Sequence, residues 1–123
     1  MLDSLTLPFG TVSFHENYMV SVMNEGITVN IGLNNVLEDL AKSYFKNKNF
    51  VYITHRINSY SVDPNIYFKT SQISNLVGFA VVTGNKLHLD NIELEKMFFT
   101  KPFKTFKSLT KAIDWANNLV DKN

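Results

Sequence analysis

Residues 76–82 read LVGFAVV, and residues 50–54 read FVYIT. Both segments are short, rich in β-branched and aromatic residues, and apolar on both faces. Strands buried on both faces are typical of a parallel sheet that helices cover on each side, because a strand with one solvated face alternates apolar and polar residues. The two segments therefore predict the centre of an α/β sheet.

The segment before this centre predicts an antiparallel hairpin. Residues 10–26 read GTVSFHENYMVSVMNEG. Val12 and Phe14 alternate with polar residues, and an apolar-rich β pattern resumes from Met19 to Met23. The hairpin would form one side of the predicted sheet.

The first helix is predicted from a change to helical period, with Asn30 as its N-cap. Its apolar stripe is expected to face the sheet, and it consists of Leu33, Val36, Leu37, Leu40, Ala41 and Tyr44. Asn34, Glu38, Asp39 and Lys42 are expected on the opposite, solvated face. A second helix is predicted to begin at Pro64, because proline suits the first helical turn.

The segment KLHLDNIELEKMFF, residues 86–99, is apolar on two helical faces. Leu87, Leu94, Met97 and Phe98 share one side, which is expected to face the sheet. Leu89, Ile92 and Phe99 form nearly the opposite side. One interpretation is that only the second half is helical; the other is that this second apolar face covers a ligand or a partner. We expect the face to be covered by a second copy of the chain or by an apolar molecule.

The chain ends on FKSLTKAIDWANNLV, residues 106–120. Phe106 is predicted to end an edge strand, and Ser108 to cap a final helix. The core stripe of that helix is expected to comprise Leu109, Ile113, Ala116 and Val120. Trp115, the single tryptophan, falls beside the stripe and is expected to pack at its margin.

The composition narrows the class of protein. The 123 residues are 45 % hydrophobic and fit one domain, residues 1–123. A net charge of +1 with one arginine, Arg56, argues against a nucleic-acid-binding surface. The absence of cysteine suits a reducing compartment. The sequence shows neither a signal peptide nor an apolar run long enough for a transmembrane segment, so a cytoplasmic location is predicted.

Catalytic and cofactor motifs are missing from the sequence. The three histidines are far apart and have no cysteine partners, so no metal site is predicted. The chain has no G-x-G-x-x-G, no P-loop and no G-x-S-x-G elbow. The sequence therefore predicts no cofactor and no enzyme.

The predicted order is strand, strand, helix, strand, helix, strand, helix, short strand, helix. It implies an α/β fold with a mixed sheet of four to five strands, an N-terminal β-hairpin followed by βαβα units, and about four helices. The stretch Phe106–Trp115, with Lys101-Pro102-Phe103 before it, resembles the ending of the SpoIIAA-like bacterial proteins. These proteins belong to the STAS fold of anti-sigma-factor antagonists and are often compared with CRAL-TRIO lipid carriers. The resemblance covers nearly the whole chain.

The resemblance implies a regulatory or protein-interaction domain that is not an enzyme. A phosphorylated STAS antagonist carries Asp-Ser-Ser-Gly or a similar motif where its second helix begins. Here the matching place reads Ser61-Val62-Asp63-Pro64-Asn65, so Pro64 stands in the place of the phosphoacceptor serine. The sequence therefore predicts a STAS-type domain without the kinase-controlled switch.

A ligand or partner site is predicted beyond the carboxyl ends of the strands, where open α/β sheets bind ligands. The residues at that edge are His55, Arg56, Ser59, Ser61, Asp63, Thr83 and Asn85. The alternative is a purely structural role, in which Asp63 caps the second helix and the other residues are solvated loop residues that bind nothing. Tyr67 and Phe68 are predicted to point sideways or outward from the second helix and to anchor a partner. The equally weighted alternative is that they pack beneath the neighbouring helix.

Two functions remain open at this point. The favoured one is a STAS-type domain that docks a partner through the second helix and its preceding loop. The alternative is a small carrier or sensor of an apolar, lipid-like ligand, held between the sheet and the segment 86–99. A homodimer is a further possibility.

Overall fold

The structure, a computed structural model, describes the backbone of residues 3–84 and 87–123 and the side chains of residues 3–84 and 92–123. Its strands and helices follow in the order β1 (Asp3–Leu7), β2 (Gly10–Phe14), β3 (Tyr18–Met23), β4 (Thr28–Val29), α1 (Ile31–Phe45), β5 (Phe50–His55), β6 (Ser61–Val62), α2 (Asn65–Ser71), β7 (Leu76–Val82), α3 (Leu87–Lys96), β8 (Phe103–Phe106) and α4 (Leu109–Lys122). Within this described part, every helix is too short or too polar to cross a membrane.

Six strands form the main sheet, in the order β1-β2-β3-β5-β7-β8. The pairs β1–β2 and β2–β3 are antiparallel, and the pairs from β3 to β8 are parallel. The predicted mixed sheet, its hairpin and its parallel centre are therefore confirmed. The predicted number of four to five strands is wrong.

The strand missed by the sequence prediction is β1, at the edge of the sheet. Its Leu5 and Leu7 are half-buried against the core, while Ser4 and Thr6, which alternate with them, are exposed. This alternation is typical of an edge strand with one solvated face. A separate two-stranded sheet pairs β4 with β6 and so ties the loop before α2 to the segment before α1.

Helices cover both faces of the sheet. The larger core cluster contains Leu37 from α1, Ile66 from α2 and Ile92 from α3, so these three helices share one face. The smaller cluster contains Ala112 and Ala116 of α4, which covers the other face alone. The arrangement explains why β5 and β7 are apolar on both sides.

Asn30 caps α1 as predicted, because its side-chain oxygen accepts a hydrogen bond from the backbone N–H of Leu33 at 2.9 Å. The predicted solvated face is wrong at two positions. Asn34 and Glu38 are buried where α1 packs on α2. Asn34 Nδ2 donates to Thr70 Oγ1 at 3.0 Å, and Glu38 pairs with Lys69 at 3.3 Å. Polar partners on α2 thus allow these side chains to face inward.

The final helix is capped by Ser108, whose Oγ accepts from the backbone N–H of Lys111. Trp115 is half-buried and lies 5.6 Å from Phe106, measured between ring centroids. The helix approaches β7 closely at Gly78, where an added β-carbon would lie 3.1 Å from Trp115 Cη2. The predicted packing of the tryptophan at the helix margin is confirmed.

The predicted orientation of α3 is inverted. Ile92 is fully buried and Phe99 is 7 % exposed, whereas Leu94 is 54 % and Met97 81 % exposed. Phe99 lies after the helix and packs 5.5 Å from Phe79, between ring centroids. The apolar face expected to cover a ligand is therefore part of the core.

Two further expectations about this segment also change. The helix spans Leu87–Lys96, so the interpretation that only the second half of the segment is helical is wrong. The side chain of Leu89, assigned to the second face, lies outside the described residues. Phe98, expected to face the sheet, is half-buried at the margin of the larger cluster.

Candidate functional site

The candidate site lies beyond the carboxyl end of β5, where Arg56 follows the strand. The Arg56 backbone N–H donates to the Val82 carbonyl at 2.8 Å, so β5 and β7 keep these residues in register. The sequence predicted Arg56 as an accessible ligand-binding residue, but it is only 8 % exposed. The single arginine therefore belongs to the interior.

A buried ion pair holds the guanidinium of Arg56. Its Nη2 donates to Glu95 Oε1 on α3 at 2.6 Å, and both side chains are 7 % exposed. The same nitrogen donates to the Tyr67 hydroxyl at 2.9 Å, and that hydroxyl donates to the same Oε1 at 3.0 Å. Charge-assisted hydrogen bonds of this length are the stronger class in proteins. The three side chains connect β5, α2 and α3.

Tyr60 extends this cluster toward the loop before α2. Its hydroxyl accepts from Arg56 Nε at 3.2 Å and lies 2.9 Å from Thr54 Oγ1. The guanidinium carbon also lies 5.2 Å from the centroid of the Tyr60 ring, within cation–π range. The polar cluster thus consists of Thr54, Arg56, Tyr60, Tyr67 and Glu95.

The surroundings of Arg56 and Tyr67 set the protonation states of these two residues. Burial alone would lower the pKa of Arg56, but Tyr67 and the hydrogen-bonded Glu95 outweigh burial and raise it above its ordinary value. Burial raises the pKa of Tyr67 well above its ordinary value. Arg56 therefore stays charged, and Tyr67 stays a neutral hydrogen-bond donor across the physiological range.

A cavity of about 230 Å³ opens beside the polar cluster. It lies between the loop before α2, the start of α2 and one side of α3. Its lining residues are Arg56, Asn58, Tyr60, Ser61, Val62, Pro64, Leu94 and Glu95. Polar groups therefore meet a small apolar wall in this cavity, which the ion-paired residues Arg56 and Glu95 help to line.

Among the described residues, one buried atom of a side chain that lines this cavity has no hydrogen-bond partner. Glu95 Oε2 is buried and accepts no hydrogen bond from any described residue, while Oε1 accepts two. A buried charged acceptor without a partner is costly, by about 1–3 kcal/mol or more. The Glu95 carboxylate is therefore satisfied on one oxygen only within the described part of the chain.

The predicted site residues in the loop before α2 differ in whether they line the cavity. Ser61 lines the cavity. Asp63 Oδ1 accepts from the backbone N–H and the side-chain amide of Asn65, both at 3.1 Å, so it stabilises the start of α2. Ser59 is exposed, and its backbone N–H donates to Glu25 Oε2 at 2.6 Å. Asp63 thus bonds to the first helical residue, but the N-cap position of α2 is Pro64, which makes no side-chain capping hydrogen bond.

The structure does not bring His55 and Thr83 to the cavity. His55 is half-buried at the end of β5, next to Val82 in the register. Thr83 is buried, and its backbone N–H donates to the Phe106 carbonyl at 2.9 Å, which continues the pairing of β7 with β8. Asn85 lies outside the described residues.

Tyr67 and Phe68, the two aromatic residues predicted to point outward, differ in their exposure. Tyr67 is only 2 % exposed and contacts the rings of Phe79 and Phe103, so that prediction is wrong. Phe68 is 56 % exposed, as predicted. The helical period of α2 explains the difference, because consecutive residues lie about 100° apart and cannot share a face.

Four large apolar side chains are exposed on the elements around the cavity. They are Ile57, Phe68, Leu94 and Met97, which are 54–81 % exposed. Leu94 and Pro64 both line the cavity, Phe68 is one turn beyond Pro64 on α2, and Met97 is about one turn beyond Leu94 in the sequence. We call these four residues the apolar rim.

Sequence reasoning missed Glu95 and Tyr60. Glu95 lies in a helix with several acidic residues and carries no local sign of burial. Tyr60 lies in a loop, where an aromatic residue has no periodic neighbours. The only available signal was the presence of a single arginine after a buried strand, which required an acidic partner from elsewhere in the chain.

Comparison with known proteins supports the fold. No family model matches the chain, and no curated protein is similar to it in sequence. Among solved structures, it is similar to an uncharacterised protein of the DUF3478 family with a SpoIIAA-like fold from Shewanella loihica PV-4. The TM-score is 0.58 at 13 % identity, over 87 % of this chain and 91 % of that one. The resemblance inferred from the sequence is confirmed: the chain has a SpoIIAA-like fold of STAS type.

Proposed function

We propose that this chain is a non-enzymatic protein-interaction domain of STAS type, which docks a partner through α2 and the loop before it. The observation that carries the proposal is the apolar rim. Large exposed apolar side chains grouped around one depression are typical of surfaces that bind proteins. Ile57 lies in that loop, Phe68 lies on α2, and Leu94 lines the cavity.

The polar cluster supports a structural role over catalysis. Arg56, Tyr60, Tyr67 and Glu95 bond to one another, so they hold elements together and do not converge on a reacting group. A catalytic site would present an activated nucleophile or a general base to solvent or substrate. The cluster instead fixes α3 against β5 beneath the rim.

The proposal includes the absence of a kinase-controlled switch. Pro64 occupies the place where a STAS antagonist carries its phosphoacceptor serine, and proline has no hydroxyl. Ser59 and Ser61 are close in sequence but out of register with that place. The partner would therefore be regulated by means other than phosphorylation at the start of α2.

The alternative of an apolar carrier receives no support from the described residues. Ile92 and Phe99, expected to hold the ligand, are in the core. The apolar cavities beneath α1 and α2 measure about 30 and 10 Å³. Such volumes hold roughly one or two water molecules and no lipid chain. The possible homodimer loses the same support, because it was inferred from the same face.

The test compares matched charge substitutions in the apolar rim and elsewhere. Tagged wild-type protein and the variants Ile57→Asp, Phe68→Asp and Val36→Asp are used for affinity capture from lysate of the source organism. Val36 is the control, since it is 42 % exposed on α1 and does not line the cavity. We expect a protein that the wild type and Val36→Asp retain and that both rim variants lose. The same set of proteins with all four baits would contradict the proposal.

A further inference from the structure

We infer that the surface around the cavity binds a basic amphipathic helix of a partner protein. The apolar residues of that helix contact the apolar rim, and its lysine or arginine residues pair with carboxylates beside the rim. This partner chemistry rests on the proposed docking function and makes it specific. Three observations carry it: the charges that accompany the rim, the distribution of lysine in the chain, and the depression around which the rim lies.

Three acidic side chains accompany the elements that carry the apolar rim. Glu25 Oε2 accepts from the backbone N–H of Ser59, in the loop before α2, at 2.6 Å. Asp63 lies at the end of the same loop, and Glu93 directly precedes Leu94 on α3. Glu25 and Glu93 are exposed, and Asp63 is half-buried. We call Glu25, Asp63 and Glu93 the acidic flank.

The acidic flank has no counter-ion within the described part of the chain. The ion pairs among the described residues involve other carboxylates. Arg56 and Glu95 neutralise each other, and the Lys69 ammonium is paired with Glu38 at 3.3 Å. Lys96 on α3 is exposed and is the one described lysine on this helix. The surroundings of the apolar rim therefore carry a net negative charge.

The lysines are concentrated elsewhere in the chain. The sequence has 12 lysine and arginine residues in total, but none of them precedes Lys42. Lys69, which follows Phe68 on α2, lines a separate depression at the carboxyl end of α1, together with Lys42 and Lys46. The net charge of +1 for the whole chain thus combines a cationic region with an acidic region around the rim.

The apolar rim and the acidic flank together select the partner. A cationic segment is attracted by the acidic flank, whereas an acidic segment is repelled, so complementary charge favours lysine and arginine beside the apolar contact. Exposed apolar side chains around a depression are the arrangement into which an amphipathic helix lays its apolar face. The same carboxylates repel anionic lipid surfaces and nucleic acid. A basic amphipathic helix meets all of these conditions.

The experiment titrates the ¹⁵N-labelled full chain with two peptides of about 14 residues, a typical helix length. Both peptides carry the same leucine stripe at helical spacing, and the other positions are lysine in one and glutamate in the other. We expect the lysine peptide to shift amide resonances of residues 57–68 and 93–97. It should bind at least about tenfold more tightly than the glutamate peptide at low salt.

Salt and lipid controls follow from the same electrostatic reasoning. A change from about 0.01 to about 0.15 M salt shortens the Debye length from about 30 to about 8 Å, so the preference for the lysine peptide should decrease. Phosphatidylglycerol vesicles should leave the resonances unshifted. Equal binding of both peptides, no shift with the lysine peptide, or binding to the vesicles instead would overturn the inference.

Matched variants test the acidic flank itself. Glu25→Gln/Glu93→Gln removes two exposed carboxylates and should weaken binding of the lysine peptide at least about threefold, a change expected for exposed ion pairs. Asp114→Asn/Asp121→Asn makes the same change in net charge on α4, which covers the other face of the sheet. This control should bind as the wild type does, and equal effects of the two double variants would contradict the inference.

Phe68→Ser separates the failure of this inference from the failure of the docking function. If both peptides bind equally and Phe68→Ser weakens both, the apolar rim docks partners without selecting their charge. The docking function then stands and the basic helix is refuted. If Phe68→Ser leaves binding of the lysine peptide unchanged, the apolar rim is not the contact surface, and both proposals are refuted.

Discussion

Substitution of Arg56 by methionine should strongly destabilise the fold. Methionine keeps much of the apolar stem but leaves the Glu95 carboxylate buried without its counter-ion. Both side chains of the pair are 7 % exposed, and the Nη2–Oε1 distance is 2.6 Å. Removal of one partner from a buried pair commonly costs about 3–5 kcal/mol in the free energy of unfolding. This is a large share of the roughly 5–15 kcal/mol that stabilises a typical domain.

The matched control is the exposed ion pair of Lys48 with Glu16. Its charged atoms are 3.8 Å apart, and its side chains are 46 % and 78 % exposed. Exposed pairs contribute about 0–1 kcal/mol, because water screens them and their side chains lose conformational freedom. Lys48→Met should therefore change the free energy of unfolding by less than about 1 kcal/mol.

The assay is urea denaturation, followed by the fluorescence of Trp115 and by circular dichroism. Coincident transitions would support two-state unfolding and allow the free energies to be compared. If Arg56→Met costs no more than Lys48→Met, the reasoning is refuted. The Glu95 carboxylate would then reach water or another partner when Arg56 is absent.

Three further predictions concern Ile92, Trp115 and residues 57–69. In urea denaturation, Ile92→Glu should lower the free energy of unfolding by more than about 3 kcal/mol, because it places a charge at a fully buried position. Met97→Glu is the control and should be nearly neutral, because Met97 is 81 % exposed. Trp115→Ala should cost about 2 kcal/mol by circular dichroism, less than for a fully buried tryptophan, and an unchanged midpoint would show that its contacts are unimportant. Incubation with kinases from the source organism should leave residues 57–69 without a stoichiometric phosphopeptide in mass spectrometry.

The parallel centre of the sheet was predictable because burial on both faces leaves a direct sign in the sequence. In the segments 50–54 and 76–82 only Tyr52 and Thr54 have polar side-chain groups, and strands that are apolar on both faces are typical of a covered parallel sheet. Helix caps are similarly local. Asn30 and Ser108 act on a backbone N–H three residues away, so the sequence alone contains both partners.

Long-range polar contacts were not predictable in the same way. Glu95 is buried only because Arg56, 39 residues earlier, supplies its counter-ion. Asn34 is buried because Thr70, 36 residues later, accepts its hydrogen bond. Helical periodicity counts such residues as solvated, since it considers one segment at a time.

The candidate site remains a prediction, and the structure shows only where its residues lie. Of the residues predicted at the edge beyond β5, Arg56 and Ser61 line the cavity. The rule that ligands bind beyond the carboxyl ends of parallel strands needs only the strand order. The contacts between α2 and α3 decide which edge residues are buried and which line the cavity.

The ion pair also explains how α3 is oriented. Its segment is apolar on two faces, so the apolar pattern alone does not specify which face is buried. Ile92 lies three residues before Glu95. Residues three apart are neighbours on a helix, so the two side chains share one helical face. Attraction to Arg56 turns this face inward and leaves Leu94 and Met97 outside. Buried polar pairs can fix an orientation in this way even where they add little stability.

The double variant Arg56→Met/Glu95→Leu separates these two effects. Replacement of both partners by apolar residues of similar volume is often neutral or stabilising, so the double variant should be more stable than Arg56→Met alone. It should nevertheless lose the single orientation of α3. In a ¹³C-methyl NMR spectrum we expect the methyl resonances of Leu94 and Met97 to broaden or double, with those of Ala112 on α4 as unchanged internal controls. One sharp set of wild-type-like resonances would show that apolar packing suffices, and that the buried pair is not what orients α3.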